Sequence, residues 1–320
     1  RLRQIVTGLV HSYYDINNVT SISIVTEIDS AKAALRYHLD RAGDQTTAQI
    51  FDLAILIKTL AKHWVRVDEK HLDALKVLCS RVKANNEGLT DKNRERLRKF
   101  DDPNNVRLLL DFPAQQIELA IAADQGRRLD AARVQVALAV GLLLMMPVRA
   151  ANLVGLHLER HIQRTRAGKN GVVHVVIPGH EVKNGEDLEF ELPDDVVRLL
   201  DIYLRDFHPR LSEEPSPWLF PGREPGKHKA IMTLGEQVRK QVFNSTGLHV
   251  NLHLFRHIGA KFYLDCMPGG YEVVRKMLGH RSSKTSIRFY AGMEGKAASR
   301  HYDEVILQLR EDLTNRPEAR

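Results

Sequence analysis

Between Ala131 and Met146 the chain is apolar nearly all round. A helix with no polar face cannot lie on a surface, so this one has to run through the centre of a core. It is not a membrane span. The longest apolar run, Val134 to Val148, contains Gln135 and is too short to cross a bilayer. No signal peptide is legible, and the chain opens at Arg1 rather than Met, which leaves room for an upstream segment. With 320 residues, 43% apolar and 27% charged, the chain is long enough for two globular domains, each with its own core. Cys79 and Cys266 are too few for a disulfide framework and suit a reducing, cytoplasmic setting, where both are expected as small buried apolar residues.

The elements around the central helix are mainly helical. Asp29-Ser30 can cap a helix running to about Asp40, and Thr46-Thr47 can start the next. That second helix sets Ile50, Leu53, Ile57, Leu60 and Trp64 at the three-four spacing of a buried stripe, and Leu72, Leu75, Leu78 and Val82 repeat it after Asp68. A small N-terminal helical bundle is expected over residues 1–103. Asp101-Asp102-Pro103-Asn104-Asn105 is the best linker to a second domain, residues 104–320. That domain carries the clear β signal. Val173, Val175 and Ile177 alternate on one run and Leu188, Phe190 and Leu192 on another, with the turn pair Asn184-Gly185 between them. The expected fold is therefore mainly α, a small helical bundle plus a mostly helical domain with a small antiparallel sheet.

Lys and Arg outnumber Asp and Glu by 47 to 40, a net charge of +7. This favours a polyanionic partner, because basic surface neutralises phosphates and releases their counterions. Seven basic residues fall between Arg81 and Lys99, and Lys92, Arg96 and Lys99 would share one helix face. That face is either a DNA-phosphate contact or a solvated surface with Asp91 and Glu95 as ion-pair partners.

Four further patterns carry chemistry. Arg149 follows the central helix at a Pro-Val break, Lys183 sits beside the hairpin tip, and His253-Leu254-Phe255-Arg256-His257 sets His253 and Arg256 three apart. Leu278-Gly279-His280 precedes Tyr290 by ten positions. In this order they resemble the tyrosine recombinase, or phage integrase, family over residues 105–310. The resemblance implies a catalytic domain that cuts and rejoins double-stranded DNA through a 3′-phosphotyrosine. Arg149, His253 and Arg256 would surround the scissile phosphate, Lys183 would be the general acid, His280 a further phosphate contact and Tyr290 the nucleophile. It also implies a homo-tetramer on two DNA sites, with accessory DNA-bending proteins as further partners, and integration or excision of a mobile element as the use. Two positions depart from the family's pattern: Asn152 stands where an acidic residue is usual, and Phe289 occupies the slot of the commonest His-to-Tyr spacing.

The chemistry accounts for the residue types. Attack on a phosphodiester concentrates charge on non-bridging oxygens, for which two guanidiniums are permanently charged planar donors. A tyrosine of pKa about 10 is only about one part in a thousand phenolate at neutral pH. Nearby cations favour the phenolate, and His253 or His280 could remove its proton. The phosphotyrosine conserves the bond energy, so rejoining needs no nucleotide. The chain lacks a Gly-x-x-x-x-Gly-Lys-Ser/Thr loop, and no cofactor or metal is expected. Competing readings are a type IB topoisomerase, a DNA-binding protein of the same fold without activity, and zinc held by His253 and His257 or by His157 and His161. Tyr302, Val305, Ile306 and Leu309 recur on one face of the last helix, which either packs on its own core or docks on a neighbouring protomer.

Overall fold

The computed structural model describes residues 1–12, 14–84, 88–165, 171–291 and 295–314, with the backbone alone for Lys296 and residues 312–314. The chain divides into two compact units, Arg1–Glu87 and Gly88–Arg320.

The first unit is helical: α1 (Leu2–His11), α2 (Ile22–Thr26), α3 (Ile28–Arg41), α4 (Ala48–Leu60) and α5 (Glu69–Arg81). α1 and α3 meet at Gly8, where a Cβ would lie 2.8 Å from the Ala34 carbonyl oxygen, so only glycine allows the approach. Thr47 caps α4 by accepting from the Ile50 N–H, and Ile50, Leu53 and Ile57 are buried as the spacing predicts. Trp64 is not; it is 72% exposed. The end of α4 widens into a π turn, Ala61–Val65, whose extra residue per turn rotates Trp64 off the buried stripe. Asp68 caps α5 through the His71 N–H, and Leu75, Cys79 and Val82 close the small core.

The second unit opens with α6 (Asp91–Arg98), whose Leu97 enters the larger core with Phe100. The polar run at 101–105 lies in this unit, where Asp102 caps α7 (Pro103–Ala122) and Pro103 occupies its first turn. α8 (Arg128–Met145) is the central helix, buried on every side from Val134 to Leu143. Its one polar intruder is satisfied: the Gln135 amide donates to the Tyr203 hydroxyl at 2.9 Å, and its oxygen accepts from Lys229. α9 (Ala150–Val154) and α10 (Leu158–His161) lead into an antiparallel sheet of order β1 (Ile162–Arg164), β2 (Val173–Ile177), β3 (Leu188–Glu191). β2 and β3 pair in the register Val175 with Phe190 and Ile177 with Leu188, which leaves residues 178–187 as the loop. α11 (Asp194–Ile202), α12 (Ile231–Thr246), α13 (Leu254–Cys266), α14 (Tyr271–Leu278), α15 (Ser283–Tyr290) and α16 (Gly295–Thr314) complete the chain.

Two expectations about side-chain environment change. Cys79 is buried, but Cys266 is exposed, because it is the last residue of α13 and falls past the helix's buried face. Along α16, Tyr302, Val305, Ile306 and Leu309 are 44–66% exposed, so that stripe does not pack on its own core. Among the described residues, no helix is long and apolar enough to cross a membrane.

Candidate active site

The site forms where α8, α9, α13, α14 and α15 converge. Pro147 ends α8, and its free carbonyl accepts Nη1 of Arg256 at 2.7 Å. Nη2 of the same guanidinium donates to the Leu278 carbonyl at the end of α14, also at 2.7 Å. Arg256 is 4% exposed and is thus held by two backbone oxygens, with no carboxylate in the arrangement. Burial first, and repulsion from Arg149 second, push its pKa down to about 10, which leaves it charged at neutral pH.

Arg149 takes an extended backbone at the start of α9. Its Nη1 is buried and has no hydrogen-bond partner. Burial lowers its pKa too, and a guanidinium donor left dry and unpaired is costly unless an anion meets it.

His253 and His257 lie one turn apart at the start of α13, their rings edge to face at 5.2 Å. Burial lowers the pKa of His253, and repulsion from Arg256 and Arg149 lowers it further. His280 follows Gly279, which closes α14 in the left-handed region at φ +60. A Cβ on Gly279 would also sit 2.9 Å from Leu188 Cδ2, so the glycine meets both a conformational and a packing demand. His280 Nδ1 lies 3.0 Å from the Ser286 hydroxyl, and burial, Arg256 and Arg149 together push its pKa down to about 4.

Tyr290 is the last residue of α15 and is 1% exposed. Its hydroxyl lies 2.8 Å from Nδ1 of His257. Burial pushes the phenol well above its usual range, and Arg256 partly opposes that shift. Among the described residues, no carboxylate contributes to the shifts of Arg149, His253, Arg256, His257, His280 or Tyr290. The result is a cluster of two guanidiniums and three histidines beside a phenol, with donors of the kind an anion's oxygens accept from.

Lys183 is exposed on the β2–β3 loop. The loop around it is tied down on both sides. Asn152 Nδ2 donates to the Glu181 carbonyl at 3.0 Å, and Asn184 Nδ2 donates to the Gly279 carbonyl, next to His280. Arg281 adds a bond to the Asn184 carbonyl at 2.8 Å. Asn152 therefore holds the loop by an amide N–H, which a carboxylate in its place would lack. Lys169, the other lysine near the hairpin, lies outside the described residues. Lys92 and Lys99 are exposed and Arg96 half-buried, and among the described residues Asp91 and Glu95 form no ion pair with them.

The spacing of His253 and His257 also fits a zinc pair; in the structure His257 Nδ1 is bonded to the Tyr290 hydroxyl. His157 spends its Nδ1 on the N–H groups of Glu159 and Arg160, and His161 spends its own on the His157 N–H. The described residues contain no cluster of three or more His, Cys, Asp or Glu side chains able to share an ion. His257 is the member of the site that sequence reasoning assigned only to that alternative.

No family model and no curated protein matches the sequence. Solved structures do. The Tn1549 transposon integrase in complex with a circular intermediate DNA is 14% identical, with a TM-score of 0.50 over 88% of this chain and 86% of that one. The XerH site-specific recombinase bound to a palindromic difH substrate, a post-cleavage complex, is 13% identical, with a TM-score of 0.47 over 92% of this chain and 87% of that one. XerA recombinase is 17% identical, with a TM-score of 0.38 over 95% of this chain and 97% of that one. From the similarity to the transposon integrase, and from the order of Arg149, Lys183, His253, Arg256, His280 and Tyr290 along the elements, the chain has the fold of the tyrosine recombinases.

Proposed function

We propose that the protein is a site-specific DNA recombinase that cuts and rejoins duplex DNA through Tyr290. The observation that carries this reading is the carboxylate-free pair of buried Arg256 and half-buried Arg149 near the phenol, with the buried Nη1 of Arg149 unpaired among the described residues. A scissile phosphate would fill that vacant donor position. Arg149 and Arg256 would draw charge from its non-bridging oxygens, while His280 supplies a further contact. The tyrosine oxygen attacks phosphorus and the 5′ oxygen leaves with a proton from Lys183 on the anchored loop. A 3′-phosphotyrosine then conserves the bond until a second 5′ hydroxyl reverses the step. Integration or excision of a mobile element is the proposed use. The exposed stripe of α16 supports assembly with further copies, and a tetramer on two sites is the proposed working form.

Trapping the covalent intermediate tests this. A nicked duplex carrying the protein's target site, sought among inverted repeats in the DNA flanking the gene, should leave a protein-DNA adduct on a denaturing gel, in excess EDTA as well as without it. Tyr290→Phe should leave none. An adduct that survives in that variant would remove Tyr290 as the nucleophile and send the search to Tyr263 or Tyr302. No adduct from the unsubstituted protein would sink the strand-transfer reading.

A further inference from the structure

A phenol must lose its proton to become a useful nucleophile, and the sequence offers His253 and His280 as acceptors. Neither is bonded to it. His280 Nδ1 is engaged with Ser286, and among the described residues the side chain that hydrogen-bonds the Tyr290 hydroxyl is His257, 33 residues earlier in the chain. The pair is buried on both sides, since His257 is 7% exposed and Tyr290 1%. Phe289 lies beside the imidazole at 6.3 Å, and the His253 ring meets it edge-on. The hydroxyl thus points at a ring nitrogen in a dry setting, and a neutral imidazole with its proton on Nε2 leaves Nδ1 free to accept.

We propose that His257 takes the proton from Tyr290 as the phenol attacks, an assignment that rests on the strand-transfer reading above. In the step, the tyrosine O–H bond breaks and its proton passes to Nδ1 of His257. The tyrosine oxygen forms a bond to phosphorus, and the bond from phosphorus to the 5′ oxygen breaks. That oxygen keeps the electron pair and takes the proton of Lys183. Rejoining runs the same transfers backwards, so His257 returns its proton to the tyrosine oxygen.

The surroundings also disfavour this proton transfer in the free protein. Burial, His253, Arg256 and His280 push the His257 pKa down to about 4, so the empty site strongly resists an imidazolium there. A phosphodiester brings one negative charge, and its five-coordinate transition state a second, directly beside those cations. Transfer becomes favourable only as that charge arrives.

The test compares single-turnover cleavage of the same nicked duplex by the unsubstituted protein, His257→Asn and His257→Gln. Asn sets an amide near the Nδ1 position, keeping a hydrogen bond while being unable to take a proton; should it fail to fold, Gln carries the same comparison. Each is measured with tyrosine and with 3,5-difluorotyrosine, a more acidic phenol, at position 290. Loss of the base should slow cleavage about 100-fold or more while DNA affinity and thermal unfolding stay near the parent values. The more acidic phenol should narrow the deficit to about 10-fold, which a merely structural defect would not show. Cleavage within about 3-fold of the parent, or a deficit that fluorination leaves unchanged, overturns the assignment. A variant faster than the parent would make the bond a latch on the nucleophile and overturn it too. Failure of the unsubstituted protein to form any adduct overturns the strand-transfer reading itself, which separates the two.

Discussion

A charge buried without a counter-charge costs stability, and several residues of this site carry that cost in the free protein. His257 and His280 are held neutral, each with a pKa near 4 against an ordinary 6.5. The unfolded chain therefore binds more protons than the folded one between those values. The contribution of these two groups is fully present above about 6.5 and is lost as pH drops toward 4. Urea unfolding over that range should show the decline, and His257→Asn should flatten it by up to about 1.4 kcal/mol per pH unit, the contribution of one proton. An unchanged slope would show that His257 is not the group titrating. At this scale the sequence disclosed residue types but not what each faces. Arg149, Arg256 and Tyr290 were legible because their order and flanking elements constrain them jointly. The environment of His257 was not, because a four-residue helical spacing fits a metal pair as well as a ring turned toward a tyrosine 33 positions away. Asn152 read as a lost charge, and its amide bond to Glu181 appears only once the hairpin folds back over α9.

The β2–β3 loop is the element on which the leaving-group chemistry would depend. It is secured at Glu181 and at Asn184, the two positions that bracket Lys183 and its neighbour Val182. Lys183→Ala should cleave ordinary DNA very slowly, yet recover much of its rate on a duplex with sulfur at the 5′ bridging position, since a thiolate departs without the proton. Arg256→Ala should recover little, because sulfur at the bridge leaves the non-bridging charge in place. Asn152→Ala and Asn184→Ala should share the Lys183 pattern in weaker form, if their bonds serve to aim the lysine. Equal impairment on both substrates would take Lys183 off the catalytic list. The two strands flanking the loop could be read from alternation, and Asn184-Gly185 from turn chemistry. β1 could not, since three residues carry too little pattern, and the outward turn of Trp64 depends on a π turn that side-chain spacing does not reveal.

For the whole molecule, the buried course of α8 was the most legible feature, since no other placement suits a helix without a polar face. The charge that the proposed DNA partner would meet is legible in outline, as a net charge of +7 and a basic α6. With no ion partners from Asp91 or Glu95, Lys92, Arg96 and Lys99 are available to phosphates. Replacing Lys92 and Arg96 with Ala should weaken binding to every duplex alike and flatten the salt dependence by up to about 0.9 in slope per lost contact. An unaltered slope would leave that face in solvent. Arg256 has a different kind of consequence for the protein's history. Its two partners are main-chain oxygens, at Pro147 and Leu278, and every amino acid carries such an oxygen. Drift at those positions can change shape and packing without deleting an acceptor. The guanidinium's alignment is thus insulated from most neighbouring substitutions. An engineer wishing to retune this site would have to redirect the chain's path at the end of α8 or α14, because exchanging side chains alone would leave the clamp standing.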